Sequence, residues 1–142
     1  MAATQQKLRE ILFQLLYSQD FVESEKEDII SFLMAEHAVS KKTVYQVHDK
    51  LADFLAKREE IDRFIQGASH AYEFDRIPKA EKNILRLGVY ELCFDESIPP
   101  KVAISEAIRL ARKFTTAEGA TFVNAILDAI YKSRTPTSPN VS

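Results

Sequence analysis

The segment 77–94 constrains the fold more than any other stretch of this chain. Its apolar residues Ile84, Leu85, Leu87, Val89, Leu92 and Cys93 point almost all the way round a helical wheel. A helix that is apolar on most sides must be covered on most sides, so it belongs at the centre of a helical assembly. Pro78 suits its first turn, where a missing N–H costs nothing. Such a helix needs other helices around it, and their apolar stripes can be read in order along the chain.

The first helix spans about 4–19, with Leu8, Ile11, Leu12, Leu15 and Leu16 at helical spacing. The second spans about 24–36. Ser24 and Glu27 form a capping-box pair at its start, and Ile29, Phe32 and Leu33 form its inner stripe. The third begins after Ser40, which reads as an N-cap, and carries Val44, Val47, Leu51, Phe54 and Leu55. The fourth, about 58–70, carries Ile61, Phe64, Ile65 and Ala68. Pro99 and Pro100 separate the central helix from a sixth, about 100–114. Thr115 and Glu118 read as a second capping box, opening a seventh helix of about 117–132. No alternating strand pattern interrupts this series, so the expected fold class is all-α with seven helices. Residues 1–132 read as one domain, and the polar, Pro/Ser-rich residues 133–142 as a disordered tail.

Composition narrows the function classes. At 142 residues, 46% hydrophobic and 28% charged, the chain can bury a core without cross-links. Its single cysteine, Cys93, permits neither an internal disulfide nor a four-cysteine zinc site. No apolar run reaches the ~18–20 residues of a membrane span, and MAATQQKLRE shows no signal-peptide pattern, so a cytoplasmic protein is expected. The three glycines form no phosphate-cradling loop. His37, His48 and His70 lack metal-site spacing, and Cys93 reads as a small apolar residue of a buried helix. No catalytic residue, cofactor site or metal site is expected.

The net charge of −2 argues against a wholly basic coat for nucleic acid, but the charges are unevenly distributed. Residues 20–36 hold six acidic groups and one basic group. The outer face of the sixth helix gathers Lys101, Arg109, Arg112 and Lys113 around Ser105 and Glu106. Such a face either attracts phosphate or is a solvated helix surface with Glu106 paired to Arg109. On the first helix, Phe13 and Tyr17 fall opposite the Leu/Ile stripe beside Gln6, Glu10 and Gln14, with Lys7 and Arg9 flanking them. Two aromatics one turn apart on a polar half suit base stacking or a partner surface, or else a neighbouring helix covers them, as is common for a first helix. On the seventh helix, Phe122 lies off the core stripe, one turn from Glu118, and reads as a stacking residue or as a contact to the sixth helix.

These stretches together resemble a known family. ILRLGVYEL (84–92), PPKVAISEAIRLARKF (99–114) and FVNAILD (122–128), with REILFQLLYS (9–18) and IDRFI (61–65), resemble the NusB family of transcription antitermination factors in order and spacing. The resemblance covers about 4–132. It implies an all-helical fold of two packed subdomains forming one compact domain, and a non-enzymatic factor. Such a factor binds boxA RNA of ribosomal RNA transcripts together with a small-subunit ribosomal protein, NusE. It joins the elongating RNA polymerase with other Nus factors, and homodimerisation, which occurs in some relatives, is left open.

Residue by residue, the resemblance assigns RNA contacts to Lys7, Arg9, Tyr17, Glu118 and Phe122, and contacts to the ribosomal protein to Asp75 and Glu81; Arg112 and Lys113, from the basic face of the sixth helix, join the residues assigned to RNA. The arginine-rich start of many members is reduced here to QQKLRE. Fewer phosphate contacts mean weaker binding and a flatter salt dependence, so this chain is expected to depend on its partner to hold RNA. Two other readings are a helical protein-interaction module without an RNA role, and the RNA-binding module of a ribosomal RNA methyltransferase system. The chain lacks the glycine motif and cysteine context that a free-standing methyltransferase needs.

Overall fold

A computed structural model describes residues 5–21, 26–69 and 73–134. Among them are seven α-helices, one short 3-10 turn and no strand. The chain divides into two compact units, Met1–Lys57 and Arg58–Ser142.

The first unit contains α1 (Gln5–Phe21), α2 (Lys26–His37) and α3 (Lys41–Ala56), each packed on the other two. Ser40 caps α3 as its type demands, its hydroxyl accepting from the Thr43 N–H at 3.2 Å. Val44, Val47, Leu51 and Phe54 form the buried stripe of α3, while Leu55 falls outside it and is exposed. Phe13, a candidate either for base stacking or for cover by a neighbouring helix, is buried at 3% exposure, so it is covered. One expectation is corrected here. Phe32, assigned to the inner stripe of α2, is 59% exposed, whereas its neighbour Leu33 is buried. A wheel ranks faces by polarity, but neighbouring helices decide which face is covered. The Ser24–Glu27 cap lies outside the described residues and side chains. α2 ends on Ala38, whose φ of 52° is left-handed. The Val39 N–H reaches back to the Met34 carbonyl at 3.3 Å, closing the helix with the geometry usually given to glycine. His37 and Gln14 join α2 to α1 through a side-chain hydrogen bond.

The second unit contains α4 (Arg58–Ala68), the 3-10 turn Phe74–Arg76, α5 (Lys79–Phe94), α6 (Pro100–Phe114) and α7 (Ala117–Arg134). Every residue of α5 from Lys82 to Leu92 is buried, as its wheel requires. α4, α6 and α7 pack around it. Gly88 permits this closeness: a Cβ there would stand 2.8 Å from Leu127 Cδ1 and 3.4 Å from Ala107 Cβ. Arg86 leaves the same helix toward α4 and makes a two-pronged ion pair with Asp62, at 2.9 and 3.2 Å. Its guanidinium also lies 5.5 Å from the Phe74 ring, with the Lys82 ammonium 4.5 Å from that ring. The pair and the ring replace the hydration that a buried guanidinium loses.

α6 occupies the expected span, and the Pro99 carbonyl accepts from the Val102 and Ala103 N–H groups, each at 3.0 Å. The start of α7 corrects a detail. Thr116, not Thr115, is the cap, its hydroxyl accepting from the Gly119 N–H at 3.0 Å. Thr115 instead closes α6, donating its hydroxyl to the Ala111 carbonyl at 2.6 Å. Adjacent threonines offer the same hydroxyl, and the path of the chain between the helices decides which serves which. α7 continues through Ser133 and Arg134, beyond the expected end at 132, and the rest of the tail lies outside the described residues.

Candidate nucleic-acid interface

The first candidate surface is on α1. Its wheel separates a Leu/Ile stripe from a half bearing Phe13 and Tyr17, yet the structure buries much of that half as well. Arg9 is 7% exposed, Glu10 is also buried and Lys7 is half-buried. Tyr17 remains 36% exposed, its ring centroid 5.8 Å from that of Phe13 at an interplanar angle of 36°. The two aromatics therefore divide the work. Phe13 is a buried support, and Tyr17 presents a ring held in place from beneath. A supported, exposed ring can stack on a base without first losing rotamer freedom.

The second candidate surface is the corner between α6 and α7. A two-residue connection, Thr115–Thr116, turns the chain, so the end of one helix lies beside the start of the next. Arg112 and Lys113 are exposed in the last turn of α6, where cations also complement the negative end of the helix dipole. Lys113 lies 5.6 Å from the ring of Phe114. Glu118 is exposed in the first turn of α7, and Phe122 follows one turn later, half-buried. The corner thus gathers four of the seven residues assigned to RNA. It offers two cations, one carboxylate and one partly accessible ring. Arg109 contributes less, because Glu106 binds its guanidinium at 2.9 Å, the pairing weighed for a solvated face.

Glu81 meets this corner from α5. A Cβ on Gly119 would lie 2.9 Å from Glu81 Oε2 and 2.5 Å from Thr115 Oγ1, so the first turn of α7 closes on the Glu81 carboxylate. Asp75 is exposed on the 3-10 turn, next to the Phe74 ring that Lys82 covers. The two residues assigned to a protein partner are thus sequence neighbours of the two that make one contact, Phe74 and Lys82. Sequence reasoning missed Phe74, Lys82 and Arg86 as an organised cluster. The isolated FDR ahead of Pro78 is the only local hint of it.

His70 lies outside the described residues. Among the described residues no group of three His, Cys, Asp or Glu side chains could hold a metal ion. No helix among them is long and apolar enough to cross a membrane. Cys93 is half-buried, and burial pushes its thiol up, opposed by the charge and hydrogen bonding of Arg134. A thiol so shifted is a poorer nucleophile at neutral pH.

Known proteins resemble this chain in sequence and in fold. The chain is 38% identical over 127 residues to the transcription antitermination protein NusB of Chlamydia pneumoniae, covering 89% of this chain and 79% of that protein. Its fold matches NusB of T. maritima with a TM-score of 0.80 and 28% identity over the whole of both chains. It also matches, with a TM-score of 0.76 and 28% identity over 91% of this chain and 96% of the other, a chain from a crystal structure of the antitermination factors NusB and NusE in complex with dsRNA. The NusB family model matches residues 6–132, nearly all of the helical part, and the chain belongs to the NusB family.

Proposed function

We propose that this protein is a transcription antitermination factor that binds boxA-type RNA together with NusE. In this reading it accompanies the elongating RNA polymerase with other Nus factors, in the cytoplasm, and acts by binding without catalysing a reaction. The observation that supports it is the α6–α7 corner, with Arg112, Lys113, Glu118 and Phe122 all within two turns of the Thr115–Thr116 connection, in a chain similar to one from a structure of NusB and NusE with dsRNA. Cations on one rim supply the salt-dependent attraction, and a ring beside them supplies stacking. Tyr17 and Lys7 form the corresponding pair on α1. Arg9 belongs to the same proposed surface, although its burial leaves little of it to offer a phosphate. Asp75 and Glu81 are the proposed contacts to NusE.

The test is a titration of labelled boxA RNA and a scrambled RNA at two salt concentrations, with and without NusE. A preference for boxA, strengthened by NusE, is expected. No preference in either setting overturns the reading. Replacing Lys7 and Tyr17 with alanine should weaken RNA binding about tenfold or more, stacking alone being worth ~1–3 kcal/mol per base. Replacing Lys113 should flatten the salt slope by roughly 0.7–0.9 for one lost phosphate contact. Asp75→Lys should reduce NusE capture and leave RNA binding by the free chain unchanged. If the first two variants bind RNA as the unmodified chain does, the protein acts as a protein-interaction module instead.

A further inference from the structure

The α6–α7 pair also bears a concave surface that runs along α6 beside the second half of α7. It is a groove of about 630 Å³ whose walls include Lys101, Ile104, Ile108 and Arg112 of α6 and Asp128 and Tyr131 of α7. Helical spacing puts the four α6 residues along one stripe. Ile104, Ile108 and Tyr131 are half-buried, so the floor is apolar but open.

The charges around this floor are not equivalent. Glu106 is held by Arg109 at 2.9 Å, and Asp128 by Lys132 at 2.9 Å. Both carboxylates are therefore answered locally. Lys101 and Arg112 are exposed, and neither forms an ion pair among the described residues. They stand eleven residues apart on α6, so two open cations mark the groove about 16 Å apart, at ~1.5 Å rise per residue. An apolar floor between two cations so far apart is a poor bed for a phosphate backbone, which presents charge at every step. The same features complement a helix with an apolar stripe and an acidic group near each end.

We propose that the α6–α7 groove docks an acidic amphipathic helix of a protein partner. Its apolar side chains rest on Ile104, Ile108 and Tyr131, and its carboxylates, about three turns apart, meet Lys101 and Arg112. Such a docking leaves the Glu118–Phe122 turn of α7 open.

The probe is a fluorescein-labelled helical peptide of about four turns. It carries one glutamate near each end, eleven positions apart, and leucines one turn apart between them. A control peptide carries lysines in place of both glutamates. Anisotropy should show the glutamate peptide binding the unmodified chain, with affinity falling about tenfold or more for Lys101→Glu with Arg112→Glu. The lysine peptide should bind that double variant better than the unmodified chain. Ile108→Ser should weaken binding of the glutamate peptide while circular dichroism stays unchanged. Failure of the glutamate peptide to bind, or equal binding by the double variant, overturns the proposal. An oligouridine whose affinity drops for both Lys101→Glu and Ile108→Ser would assign the groove to RNA and overturn it as well. So would a self-associated form of the chain that Lys101→Glu dissolves, because a second copy would then fill the groove.

Discussion

Arg86 and Ala38 show how differently the two units reach a stable arrangement. In the second unit α5 is enclosed by α4, α6 and α7, and its one buried guanidinium is met by Asp62, Asn83 and the face of Phe74. Its closest approach depends on a glycine that leaves a Cβ no room. In the first unit three helices pack together, one of them closed by an alanine in a left-handed conformation and carrying an exposed phenylalanine. The second unit therefore rests on interlocking, where each part depends on several others. The first tolerates local strain, because the helix end that bears it is close to solvent. The difference indicates where substitutions will cost most.

Three substitutions bear on this contrast. The largest effect is expected for Arg86→Met. It leaves Asp62 with its partner removed in a site where the Asp62 side chain is 18% exposed, and should destabilise by about 3 kcal/mol. Denaturant unfolding with hydrogen exchange should place the loss in α4 and α5. A loss below ~1 kcal/mol would show that the pair is dispensable and that interlocking is not what holds the second unit. Next, Gly88→Ala should destabilise by roughly 1–3 kcal/mol despite the better helix propensity of alanine, because Leu127 must move. A stabilised variant would mean that α7 yields easily, and the contrast would break. The smallest effect has the opposite sign. Ala38→Gly relieves the left-handed strain and should stabilise by about 1 kcal/mol, read as a raised midpoint in chemical denaturation.

Much of the fold could be read from residue order. The position of α6 follows from Pro99 and Pro100, the start of α3 from Ser40, and the burial of α5 from apolar residues on every side of its wheel. Each is a local rule acting over one or two turns. The errors came where two local rules gave equal answers. Thr115 and Thr116 are equally able to cap, and only the turn between α6 and α7 distinguishes them. Spacing places Phe32 wrongly and does not choose between stacking and burial for Phe13, because polarity around a helix says little about which neighbour arrives. Of the candidate site, the cationic end of α6 and the off-stripe Phe122 were legible from spacing. The approach of Glu81 to Gly119, and the Phe74–Lys82–Arg86 cluster, were not. Those residues come from different elements, and no periodicity links them.

By itself, then, the sequence determined that the chain is helical, where most helices begin, which of them is central, and that its charge is gathered on particular faces. These properties depend on neighbours within about four residues, through backbone hydrogen bonding, capping and the 3.6-residue period. Only the tertiary structure decided which aromatics are covered, which cations are already paired, and which carboxylate meets the start of α7. Arg109 and Arg112 stand three residues apart on one helix with the same charge. One is bound to Glu106 and the other is open to a ligand. Burial and pairing are properties of side chains brought together in space, so sequence spacing proposes the candidates and packing selects among them.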